Sequence, residues 1–231
     1  EIHPVEGIEP LDLGDPPAAA VGAHLPECGK TRGGRIGHLT ILPPWMCGHT
    51  GRMGEVSTES MQTFSALLAV AAMAGSVVLV SCLTVARGTA FAGSVLAAVR
   101  ENSAALWLVL TGTAMAGSLW FSEVAGYSPC KLCWYQRIAM YSVAVISLVA
   151  LVRREARTVA PYVLTLALVG LCISAYHYVL EWFPTLESGV CAADVPCTTI
   201  WFRKFGFVTL PFMAGVAFVS TALVAVCGRR D

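Results

Sequence analysis

Charge is scarce in this chain. Only 13% of its 231 residues are Asp, Glu, Lys or Arg, against about 25% in an ordinary soluble domain. The formal net charge is zero, so no basic excess points to a nucleic-acid partner. Histidine is also sparse, and four of the five lie before residue 60. No regular zinc-ligand spacing is present, so no metal is expected. What fills the composition is apolar: 56% of residues are hydrophobic and the mean hydropathy is positive, which indicates an integral membrane protein. The nine cysteines exceed cytosolic habit without reaching the density of a small disulfide scaffold.

Residues 1–60 lack any sustained apolar period. They hold most of the prolines and many glycines, and are expected to form a disordered or poorly packed tail. The first residue is Glu1, and Met53 and Met61 both stand before the first long apolar run. An alternative reading therefore makes the tail a cloning or start-site addition. Cys28, Cys47, His38 and His49 are of metal-binding type, but their spacing fits no zinc signature.

Five apolar segments follow, at about 64–86, 104–124, 134–152, 160–180 and 207–227. Each is about 20 residues, enough for a helix to cross a hydrocarbon core of about 30 Å. Only helices satisfy their own backbone in lipid. The expected fold is thus an all-α integral membrane protein: a four-helix transmembrane bundle with one additional N-terminal transmembrane helix. Residues 61–103 are expected to form the extra helix and a cytoplasmic link, and 104–231 the four-helix membrane domain. Ala114, Gly117 and Ser118 suit close helix packing.

Arginines set the expected orientation. Arg87 and Arg100 follow the first segment, Arg153, Arg154 and Arg157 lie between the third and fourth, and Arg229 and Arg230 end the chain. With five alternating helices these share one side, which the positive-inside rule makes cytoplasmic. The opposite side carries Lys131, Arg203 and Lys204, balanced by Glu123, Glu181, Glu187 and Asp194. Both cysteine-bearing loops then lie outside, where disulfides persist. Leu79-Val80-Ser81-Cys82 fits a lipoprotein cleavage box, but cleavage there would invert every arginine cluster, and the preceding stretch is acidic rather than basic. Cys82, Cys172 and Cys227 are read instead as small buried helix residues.

The chemistry centres on Pro129-Cys130-Lys131-Leu132-Cys133-Trp134-Tyr135-Gln136-Arg137. A Cys-x-x-Cys sets two sulfurs one helical turn apart, and a helix N-terminus stabilises the thiolate that attacks disulfides. Arg137 follows Cys133 by four and shares its helix face. It suits either an anionic sulfur or oxygen, or a snorkelling interfacial role, and Trp134 and Tyr135 suit an aromatic belt. A second pair, Cys191 and Cys197, lies in the other outer loop. It reads as a structural staple or as the donor in an exchange relay with the first pair. A four-cysteine zinc site is the further alternative, though the spacing is irregular for it.

These runs closely resemble the DsbB family of disulfide bond formation proteins, especially its short-loop branch known as BdbC. The likeness rests on Pro129 to Ile138 and on Cys191 to Cys197, followed by Trp201 and by Phe205-Gly206-Phe207-Val208-Thr209-Leu210-Pro211-Phe212. It covers roughly Ala104 to Arg230, with both motifs in family order. The resemblance implies a membrane thiol–disulfide oxidoreductase in the bacterial inner or plasma membrane, multi-pass, with its C-terminus cytoplasmic. It would reoxidise a DsbA-like thioredoxin-fold partner and pass the electrons to a quinone, ubiquinone or menaquinone. Cys133 would lie next to the quinone with Cys130 as its disulfide partner, and Arg137 would support the quinone site. Cys191 and Cys197 would exchange with the soluble partner. His177 would approach a quinone-contacting position, and Pro211 would bend the last helix. Two features depart from the family: the added first helix and a short Cys191 loop.

Two rivals remain at this level. A disulfide reductase would run electrons inward, and reduction potentials rather than sequence set direction. It would call for cysteines reachable from the cytoplasm, where the sequence offers only Cys227. A transporter, or a membrane protein with merely structural disulfides, is the non-enzymatic rival. Transport usually leaves ionisable residues deep in helices, and these segments hold almost none.

Overall fold

In a computed structural model of the protein, the described residues are 57–86, 88–187, 189, 191 and 195–229, with the side chain of Arg229 excepted. The expected tail with Cys28, His38, Cys47 and His49, and the charges Arg87, Asp194 and Arg230, lie outside them.

Six α-helices form among the described residues. α1 spans Thr58–Thr84, and the Ser57 hydroxyl caps it by accepting from the Ser60 N–H at 3.2 Å. The cap, not the apolar run, sets the start, so the helix begins before the expected Phe64. α2 spans Ala90–Glu101, capped by Thr89. The sequence reading passes this helix over as part of a link: at 12 residues it is too short to cross a membrane. α3 spans Ser103–Glu123 and α4 Lys131–Arg153. α5 spans Ala156–Trp182 and leads into a 3₁₀ turn at Pro184–Leu186. α6 spans Leu210–Arg229. All except α2 are long and apolar enough to cross a membrane, and no strand is present among the described residues. The protein is a multi-pass membrane protein.

α3, α4, α5 and α6 close a ring in which each packs on the next and α6 returns to α3, while α1 and α2 pack against α6 from outside. Trp107, Val143, Val163 and Val224 fill one end of the ring; Met140, Ala167 and Phe218 fill the middle. The Ser76 and Ser220 hydroxyls, both buried, share a hydrogen bond of 2.8 Å between α1 and α6, which satisfies two polar groups in apolar surroundings.

Gly170 on α5 exists for the Phe218 ring, since a Cβ added there would overlap it. Gly170→Ala is therefore expected to cost about 1–3 kcal/mol, the scale of overpacking a filled core. A thermal melt of the purified protein in detergent checks this, and an unchanged midpoint would contradict the packing.

Two expectations need correcting. Pro211 does not bend α6: it is the second residue of the helix, where the missing N–H has no intrahelical partner to lose. Cys172 is exposed on the outer face of α5, while Cys82 and Cys227 are buried as expected.

Candidate active site

The loop before α4 is folded by aromatic stacking. Tyr127 lies flat between Phe121, at 5.6 Å between ring centroids, and Trp201, at 4.7 Å, and its N–H donates to the Phe121 carbonyl. Ser128 and Pro129 then carry the chain to Cys130. Cys130 has an extended backbone and is the N-cap of α4; its sulfur accepts from the Cys133 N–H at 3.3 Å. A sulfur thus stands where Ser or Asp usually caps a helix, at the positive end of the dipole.

The Cys130 and Cys133 sulfurs lie 2.9 Å apart, within reach of a bridge. His177, on α5, sets its Nε2 3.6 Å from the Cys130 sulfur and 3.1 Å from the Cys197 carbonyl oxygen. Its Nδ1 lies 3.3 Å from the Gln136 amide nitrogen. A carbonyl can only accept, so Nε2 carries the hydrogen, and Gln136 donates to Nδ1. The Nε2–H is thereby held toward the Cys197 carbonyl and the Cys130 sulfur. These donors draw the Cys130 thiol from its ordinary 9.0 down to about 4. The Cys133 thiol contributes most and His177 next in stabilising the anion, against the opposing effect of burial.

Cys191 and Cys197 are joined by a disulfide. Cys197 is 1% exposed and packs with Cys130, at 5%, around Leu132 and Leu180, whereas Cys191 is only half-buried. The two pairs expected from sequence are thus brought into one cluster. The four-cysteine zinc alternative loses two of its thiolates to that disulfide. Cys130, Cys133 and His177 do lie close enough for a metal, with ligand atoms within 4.8 Å, but the same closeness is what thiol exchange needs.

On the other side of Cys133 a cavity of about 410 Å³ opens between α1, α3, α4 and α6. Cys133, Gln136, Arg137 and Ser118 line one end. Arg137 is held there by α3: its Nε donates to the Ser118 hydroxyl at 3.0 Å and an Nη to the Ser118 carbonyl at 2.9 Å. Its guanidinium also lies 5.3 Å over the Trp134 ring. Arg137 therefore reaches the cavity. His177 does not line it, and instead stands across the thiol pair, against Cys130. Sequence reasoning missed Gln136, which both lines the cavity and orients His177, and Ser118, Tyr127 and the α1 residues of the wall. It also gave no role to Glu181, a buried carboxylate one turn beyond His177.

The family described as "Disulfide bond formation protein DsbB" matches residues 100–228. The chain is 43% identical over 121 residues to the "Probable disulfide formation protein" of Oceanobacillus iheyensis, covering 52% of this chain and 83% of that protein. It is 44% identical over 122 residues to the "Probable disulfide formation protein C" of Halalkalibacterium halodurans, covering 52% and 85%. It is 44% identical over 117 residues to the "Disulfide bond formation protein C" of Bacillus subtilis, covering 50% and 83%. No solved structure matches the chain. With the matched region spanning α3 to α6 and both cysteine pairs, the chain belongs to the DsbB family of disulfide bond formation proteins, which are thiol–disulfide oxidoreductases.

Proposed function

We propose that the protein reoxidises a DsbA-like thioredoxin-fold partner and passes the two electrons to a membrane quinone, ubiquinone or menaquinone. The observation that carries this reading is a continuous line of sulfurs. Half-buried Cys191 is bonded to buried Cys197, Cys197 packs with buried Cys130, and the Cys130 sulfur lies 2.9 Å from that of Cys133, which lines a cavity.

The reduced partner attacks Cys191, the accessible sulfur, and becomes a disulfide as Cys191 and Cys197 become thiols. Cys197 then exchanges with the Cys130–Cys133 disulfide: the loop pair is reoxidised and the helix pair takes up two electrons. Cys130 holds its charge as a thiolate under the N–H groups of Cys133 and His177, and Cys133 presents its sulfur to the cavity. Re-forming the Cys130–Cys133 bond from the Cys130 thiolate and the Cys133 thiol releases two electrons and one proton. A bound quinone would accept both electrons and that proton, with one further proton drawn from water. The cavity fits such a group: one end offers donors in Arg137, Gln136 and Ser118, the rest is largely apolar, and the volume lies in the usual range for ligand pockets.

The cysteine loops are assigned to the extracytoplasmic side and the C-terminus to the cytoplasm. Arg153 and Arg154 close α4 at the end opposite Cys130, about 33 Å away at 1.5 Å per residue, and support that orientation.

Purified protein, a soluble quinone and a reduced DsbA-type protein test the reading together. Loss of quinone absorbance with oxidation of the partner is expected; no quinone reduction would overturn it. The order of exchange has its own test. A reduced partner lacking its second active-site cysteine is expected to stay bound to Cys191 as a band on non-reducing gels, because its one thiol displaces Cys197 from the loop disulfide and no second partner thiol resolves the new bond. Absence of that band would contradict Cys191 as the entry point.

A further inference from the structure

α1 lies outside the region that matches the family, which begins at residue 100, yet it borders the cavity beside Cys133. Ser65, Leu68, Ala69 and Ala72 of α1 are part of its lining. On α3 the lining runs from Ser122 to Val109, about 20 Å at 1.5 Å per residue, so the space is elongated along the helices. Most of its polar groups gather at the Cys133 end, and Leu110, Met140 and Ala217, with Thr113 and Tyr141 among them, continue it away from that end. An occupant with a polar ring and a long apolar tail matches both the shape and the gradient.

α1 is also tied to the site at successive depths. Glu59 pairs with Lys204 at 3.6 Å, a surface contact of small energetic weight. The Gln62 amide donates to the Tyr127 hydroxyl at 2.7 Å, and Tyr127 and its stacking partner Trp201 both line the cavity. Deeper, the buried Ser76–Ser220 hydrogen bond joins α1 to α6. A helix that merely anchored the chain would need none of these.

We propose that α1 is a wall of the quinone site, with Ser65, Leu68, Ala69 and Ala72 enclosing the isoprenoid tail while Cys133 and Arg137 meet the ring. This rests on the quinone reading above and adds a specificity element that α3 to α6 alone do not supply. Gln62 is a positioning residue that holds Tyr127 at the cavity edge.

The experiment uses the full chain in lipid nanodiscs and two probes, a quinone with a single isoprene unit and one with a long isoprenoid tail. Ala72→Phe fills the wall from α1; Leu67→Phe, on an exposed position of the same helix that does not line the cavity, is the control. Ala72→Phe is expected to raise the KM for the long-tailed quinone by about tenfold or more, as a loss of binding without loss of chemistry. The KM for the short-tailed quinone should rise several-fold less than that for the long-tailed one, and the Leu67→Phe protein should be unaffected. Where Ala72→Phe does not fold, a long-tailed quinone with a photoreactive group on its tail is used on the wild type. Label on α1 is expected, and label confined to α3, α4 and α6 overturns the assignment. Quinone reduction by wild type with an unchanged KM in folded Ala72→Phe also overturns it, while leaving the quinone reading intact. Wild type that neither reduces nor is labelled by either quinone overturns both.

Discussion

Cys133→Ala protein is expected to lose quinone reduction by about 10⁴-fold or more, the scale seen when the reacting nucleophile of an enzyme is removed. The reason is positional. Among the described residues Cys133 is the one cysteine that lines the cavity, so no other thiol can hand electrons across that wall. The substitution removes little volume at a half-buried site and leaves the Gln136–His177 contact in place, so the fold should survive. Retention of the Cys191–Cys197 disulfide in the purified variant checks that. The partner should still reduce that loop pair once, giving a single stoichiometric turn and then arrest. Undiminished quinone reduction would mean that electrons leave by another route.

His177→Ala carries the second large effect. Cys130 has its thiol lowered to about 4, so at neutral pH it is anionic, and its alkylation rate should be flat from pH 6 upward. Removing the His177 N–H, at 3.6 Å from the sulfur, removes one of the groups that stabilise the anion. The sign follows directly: the protonated thiol gains, and the alkylation midpoint moves up. It should stay below the ordinary 9.0, because the hydrogen bond from Cys133 is the larger cause and remains.

The same change weakens the Cys130–Cys133 disulfide as an oxidant. A stabilised thiolate favours the reduced pair, which makes the disulfide more oxidising. Each tenfold loss of thiolate stabilisation should lower the potential of the pair by about 30 mV. Redox titration of the variant against glutathione buffers measures this. An unshifted alkylation midpoint together with an unshifted potential would remove His177 from the account.

Most of the fold was legible because lipid leaves few choices. Apolar runs of membrane length must be helices, and five of the six helices announce themselves that way. α2 did not, because a short helix in a run of Ala, Val and Leu carries no length signal and its Thr89 cap is a single residue. The thiol pairs and the shared face of Cys133 and Arg137 were legible from spacing. The surroundings of His177 were not. Its i, i+4 neighbour and its position near the end of α5 say nothing of which partner it faces, and the α4–α5 packing decides that through Gln136. The α1 wall could not be read at all. Ser65, Ala69 and Ala72 are ordinary small helix residues, and only the docking of α1 on α6 turns them toward a cavity.

The central claim is that the four cysteines form one relay that ends at a quinone. It is tested most directly by trapping their redox states after adding reduced partner to membranes with and without respiratory quinone. With quinone, both pairs should return to disulfides. Without it, Cys130 and Cys133 should accumulate as thiols first, followed by Cys191 and Cys197 as electrons back up the chain. Reoxidation of Cys130 and Cys133 at the same rate in quinone-free membranes would contradict the account.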